Sequence, residues 1–180
     1  INLDMIAHPG AGSEHSLQLD LDASGVTGRY HNLGRAFNPA ANVISMAESI
    51  DIGQAHNFEL GQAVVYFTGG GEEIGDLSDG ETYYVVPDSS NPNAFQLASS
   101  KINAMLPVPV IIDLDKTLAT GNQQGFSVAF APKDAVTAAD DDSIYLDLGY
   151  SHGFSDGDAV VYDNCGDANI SGLVQGTTYY

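Results

Sequence analysis

Basic side chains are scarce: 5 Lys and Arg stand against 24 Asp and Glu, for a formal net charge of −19. A surface this acidic repels phosphate backbones and anionic lipid headgroups. It excludes nucleic acid and polybasic membrane attachment as partners and leaves cations as the natural counterpart. Cysteine occurs once, at Cys165, which rules out an intrachain disulfide and a cysteine-based zinc site. No apolar run approaches the roughly 18 residues of a membrane span, so no transmembrane segment is expected. Ile1 opens neither a signal peptide nor an ordinary translation start, and the chain reads as a mature or excised fragment.

What is present is a chain of 180 residues, 43% of them hydrophobic, enough for one mid-sized core or two small ones rather than a disordered tail. Charged residues make up only 16%, so the acidity comes from missing bases, with carboxylates placed singly or in short clusters between β-like runs.

Internal similarity is the strongest signal. Residues 56–84 and 152–180 align without gaps, 96 positions apart, and are identical at 14 of 29 positions: His, Phe, Gly, Ala-Val-Val-Tyr, Gly, Ile, Leu, Gly and Thr-Tyr-Tyr. Upstream, Ser49-Ile50 matches Ser143-Ile144. At an offset of 93, Asp20-Leu21-Asp22 matches Asp113-Leu114-Asp115 and Phe37-Asn38-Pro39 matches Phe130-Ala131-Pro132. A repeat of about ninety-five residues therefore covers the chain. Residues 1–47 form the C-terminal part of one copy, 48–141 a complete copy and 142–180 the N-terminal part of a further one.

The wording Gly-x-Ala-Val-Val-Tyr, a Gly-rich turn, and Gly-x-Thr-Tyr-Tyr resembles the tandem repeats of very large secreted or surface bacterial proteins of adhesin type. Gly61 to Tyr66, Gly69 to Leu77 and Gly80 to Val85 carry it in one copy, and Gly157 to Tyr162 and Ile170 to Tyr180 in the next. Two turns depart from it: Asn164-Cys165-Gly166-Asp167 replaces the triple glycine, and Gln175-Gly176 replaces Asp79-Gly80. The resemblance implies a secreted or cell-surface location and serial copies as partners.

Periodicity points to an all-β fold. Leu17, Leu19 and Leu21 alternate with polar residues, and Val108, Val110, Ile112 and Leu114 do the same, as half-buried strands read. Short β-branched or aromatic runs at 63–67, 82–86, 126–130, 144–148 and 159–162, bounded by turn residues, predict tandem β-sandwich or small β-barrel modules. Helix is confined to two turns over 99–106, capped by a Ser and stopped by Pro107, and at most one turn over 35–37. Residues 132–142 read as the link between copies, and the triple glycine as a wide hairpin turn.

Candidate sites are few. Asp20, Asp22 and Ser24, followed by Gly25, open like a calcium loop, in which alternate oxygens wrap the ion. His31 stands where a bidentate Glu would close it. Asp140, Asp141 and Asp142 form a second oxygen-rich candidate at the junction, and calcium is the expected cofactor. Gly149-Tyr150-Ser151-His152-Gly153 spells G-x-S-x-G, but no helix is predicted after it and the sister copy has Ala55 in place of Ser151, so no catalytic residue is assigned. His56 and His152 recur with the repeat and read as turn histidines. One tyrosine of each pair, Tyr83-Tyr84 and Tyr179-Tyr180, should face inward and the other outward.

These observations point to a non-enzymatic structural or adhesive repeat of an extracellular fibre, stalk or giant adhesin. The alternative is a calcium-assisted glycan-binding module. Because neither end closes a copy, residues 142–180 are expected to pack against the equivalent of residues 1–47. That partner would come from a neighbouring subunit head-to-tail or from further chain, or the halves would fold back on each other within one chain.

Overall fold

The computed structural model describes residues 4–6, 16–19, 21–41, 43–45, 47–138, 144–149 and 151–180. Its strands are β1 (Asp4–Ile6), β2 (Ser16–Gln18), β3 (Asn32–Phe37), β4 (Ile50–Asp51), β5 (Ala63–Phe67), β6 (Thr82–Pro87), β7 (Ala94–Ala98), β8 (Gln124–Ser127), β9 (Val136–Ala138), β10 (Ile144–Leu146), β11 (Val160–Asp163) and β12 (Thr178–Tyr179). Two four-residue helices, α1 (Lys101–Ala104) and α2 (Pro132–Ala135), are the only described helix, so the fold is all-β. Eight strands form one antiparallel sheet in the order β12-β11-β3-β8-β5-β6-β7-β4, and β1-β2 and β9-β10 form separate two-stranded ladders.

Beside a small cluster of Val86, Ala98 and Ala104, two large apolar cores line this sheet. Phe58, Tyr66, Ile74, Leu77, Val85, Phe95 and Phe126 belong to one, built from residues 37–126. Leu21, Val26 and Leu33 join Leu146, Val160, Tyr162, Ile170 and Tyr179 in the other. Each fully buried large side chain contributes about 1.5–3 kcal/mol, which is what makes loops as long as that from β5 to β6 worth ordering. The second core draws on both ends of the chain. β3 pairs with β11 from Arg35–Val160 to Asn32–Asp163, and Asp22 bridges Ser171. Within this single chain the described residues of 144–180 therefore pack against those of 21–37, the fold-back arrangement among those expected.

The cores meet where β3 pairs with β8, Arg35 opposite Phe126 and Phe37 opposite Gln124, with His31–Phe130 bridging further along the same register. Residues 31–37 and 124–130 are aligned with each other by the repeat offset of 93, so this seam is an antiparallel pairing of like with like, which creates a local approximate two-fold axis. Strand backbones come close there: a Cβ on Gly34 would lie 2.6 Å from the Phe126 carbonyl oxygen, and one on Gly125 would lie 2.6 Å from the Arg35 carbonyl oxygen and against the Phe67 ring.

Several local expectations change. Residues 35–37 are strand, because both neighbours, β11 and β8, offer ladder partners. α1 is a single turn, with Ser100 as its N-cap, its hydroxyl accepting from Asn103 N at 3.2 Å. The alternating run from Val108 forms no strand: Val108 is 81% exposed, and Pro107 and Pro109 bring no N–H to a ladder. The link at 132–142 contains α2, with Pro132 in its first turn, and β9, which pairs with β10. The triple glycine does open a wide hairpin connection, between the antiparallel pair β5 and β6, and that connection returns Ile74 and Leu77 to the core.

Candidate functional site

The most elaborate polar constructions are buried, and they occur in both cores. In the first, the Tyr66 hydroxyl donates to Gln124 Oε1 (2.6 Å) and accepts from Ile74 N (3.0 Å), while Gln124 Nε2 donates to the carbonyls of Glu72 (2.7 Å) and Thr120 (2.8 Å). In the second, Tyr162 OH accepts from Ile170 N (3.0 Å) and lies 2.5 Å from His31 Nδ1, whose Nε2 is 3.1 Å from the Thr27 carbonyl. The carbonyl needs a donor, so Nε2 carries the proton and Nδ1 accepts from the tyrosine. Neutral His31 therefore does the work of Gln124, the residue aligned with it. Burial pushes the Tyr66 phenol far above its usual range and that of Tyr162 up to about 12, so both keep the proton they donate. Burial also pulls His31 down, partly offset by the Thr27 carbonyl and the charges of Asp167 and Asp163.

Smaller features recur as well. Tyr83 OH accepts from Ser78 N (2.8 Å) and Tyr179 OH from Val174 N (2.7 Å). Nδ1 of His56 accepts from Phe58 N and that of His152 from Phe154 N, each at 2.9 Å, so both histidines brace their own turns. Gly75 pairs with Asp115 where Ser171 pairs with Asp22. Tyr83 and Tyr179 face inward, while Tyr84 is half-buried and Tyr180 exposed.

One construction has no counterpart. Arg35, aligned with Val128, lies between the cores with its charge buried. Nη1 donates to the Ala55 carbonyl (3.2 Å), and Nη2 to the Gly153 carbonyl (2.5 Å) and Asp158 Oδ2 (2.6 Å). The side chains of the ion pair are 7% and 10% exposed. Gln54 Nε2 donates to the other Asp158 oxygen at 2.8 Å, so loops from both cores close over one guanidinium. The Asp158 carboxyl is raised by burial, but bonds from Ser155 N, Gln54 and Arg35 outweigh that and hold it below its usual value.

Of the predicted metal ligands, Asp22 and Ser24 come together. Asp22 Oδ1 accepts from Ser24 N (2.7 Å) and Oδ2 from Ser24 Oγ (2.8 Å), in a turn opening on a groove of about 380 Å³ that Lys133 shares. These bonds hold the Asp22 carboxyl below its usual value. Asp115 and Thr117 make the aligned turn in the first core. Asp20, Asp140, Asp141 and Asp142 lie outside the described residues. Among the described residues no group of three or more His, Cys, Asp or Glu is placed to hold a metal ion. Ser151 is exposed in an irregular stretch followed by strand β11, without the helix that a nucleophile elbow needs.

Sequence reasoning missed the buried tyrosine centres and Arg35. The partners of Tyr66 and Tyr162 lie 58 and 131 residues away and differ in type, Gln in one core and His in the other. The available signal was a tyrosine recurring at an equal place in an apolar run. No family model, no curated protein and no solved structure matches the chain.

Proposed function

We propose that the chain is a pair of tandem β-modules of about ninety-five residues from a secreted or surface-displayed array, with a structural and adhesive role and no catalytic one. Residues 48–141 supply most of the first module, and the pieces 1–47 and 142–180 supply the second. The observation that carries this reading is the duplicated tyrosine centre: hydroxyl, backbone N–H and opposing side chain recur in both cores with like geometry. Such effort is spent on holding loops still, which suits a module that bears load. The acidic surface keeps serial copies soluble and apart.

Single-molecule stretching of the chain by its ends tests the role. A load-bearing module resists with distinct unfolding events, and a chain that yields without a force peak overturns the reading. Labelling with an active-serine probe is expected to leave Ser151 unmodified. Calcium at Asp20, Asp22 and Ser24 belongs to the same proposal. Returning calcium to chelated protein should raise Tm, and an unchanged Tm removes the ion from the reading.

A further inference from the structure

The two faces beside the β3–β8 seam differ although the strands that build them are aligned by the repeat. On one side Gln123 Nε2 reaches across to Thr178 Oγ1 at 2.9 Å, and Val161 beneath is 1% exposed. On the other side the aligned residues are Tyr30, Thr82 and Val65. There Tyr30 is 54% exposed, Val65 is only half-buried, and a groove of about 430 Å³ lies open. The open side carries Tyr30 where the closed side carries Gln123, and its lining residues Arg29, Cys165 and Asp167 stand where the other side has Asn122, Gly69 and Gly71.

The groove's lining has a distinct chemistry. Val65 and Val128 form an apolar floor, Tyr30 stands at the side, and Arg29, Thr82 and Asp167 supply the polar rim. The Arg29 guanidinium stands over one face of the Tyr30 ring, 5.8 Å from its centre, so a stacking ligand would use the opposite face. Asp167 accepts from Thr27 Oγ1 at 3.4 Å, a long bond that leaves the carboxylate free to accept others. An ion would leave most of this space empty. A polyanion is repelled by the charge of −19, and a polycation is drawn to the acidic surface at large rather than to the rim that carries Arg29. A pyranose fits: it offers an apolar face of C–H groups to tyrosine and floor, and vicinal hydroxyls to a planar guanidinium and carboxylate.

We infer that this groove binds a neutral oligosaccharide, with Tyr30 as the stacking platform and Arg29, Asp167 and Thr82 reading its hydroxyls. This rests on the adhesive reading above and names the chemistry of the surface it would hold. No metal takes part in the recognition.

The test is an array of neutral and acidic oligosaccharides probed with the 180-residue chain in EDTA. Wild type is expected to retain neutral glycans. Tyr30→Ala should lower their affinity about tenfold, the loss expected for one stacking contact. Asp167→Asn and Thr82→Val, which keep side-chain shape, should each weaken binding severalfold, with circular dichroism unchanged. Absence of binding to any neutral glycan, binding that needs calcium, preference for acidic glycans, or unaltered binding by all three variants would each overturn the inference. The stretching experiment reads a different property, so loss of glycan binding with a force peak intact rejects the groove and leaves the load-bearing role. The converse result rejects that role alone.

Discussion

His31 and Gln124 perform one task with different chemistry, and the difference should be visible as pH dependence. Burial holds the folded pKa of His31 below the free value of about 6.5, so the unfolded chain takes up the proton first. The stability contributed by the neutral ring is complete above that free value and is lost as pH falls through the folded pKa. Protonation would set a second donor against Tyr162 OH, while Asp163 and Asp167 only partly favour the charge. His56 and His152 are also lowered by burial, so acid sensitivity is shared. His31→Gln copies the other core and should flatten the fall in Tm between pH 7 and pH 5. Equal slopes for variant and wild type would reject the assignment. Tyr66→Phe, which leaves Ile74 N without its buried acceptor, should cost about 1–3 kcal/mol by urea titration, more than Tyr84→Phe at a half-buried position.

At the scale of elements, β3 and β8 matter because their pairing joins the two large cores, and their glycines let backbone and rings pack closely. Gly34→Ala should cost on the order of 1–3 kcal/mol through overpacking against the Phe126 carbonyl, whereas alanine at Gly80, with open space around it, meets only the strain of its positive φ. Thermal unfolding of Gly34→Ala checks this, and an unchanged Tm would show that the seam is looser than described. Strand runs such as 63–67 and 82–86 were legible because β-branched and aromatic residues sit between turn formers. The alternating run after Pro107 misled because alternation only reports side-chain faces, while a ladder also needs N–H groups and a neighbour.

For the whole molecule, the question is whether the two cores unfold together. They are separate apolar clusters joined by one sheet and by the buried Arg35–Asp158 pair. Arg35→Ala strands a buried carboxylate and should cost about 3–5 kcal/mol. Calorimetry is expected to show one transition for wild type and two for this variant, as the cores part at the seam. If Asp158→Leu is added, the loss should be largely recovered, since the uncompensated charge is then gone. A variant as stable as wild type would mean that the sheet alone couples the cores.

The sequence by itself determined the all-β character, the duplicated strand and turn wording, and that one member of each tyrosine pair turns inward, though not which one, because alternation, turn chemistry and self-similarity are local properties. Only tertiary structure decided that the second core is assembled from both ends of the chain, since Asp22 with Ser171 and Asn32 with Asp163 are pairings that no local pattern records. It also decided which residue answers each buried tyrosine and where the isolated arginine goes. Those choices come from the desolvation of groups brought together from far apart: a buried hydroxyl or guanidinium needs whatever partner the fold delivers, and the chain order does not say which one that will be.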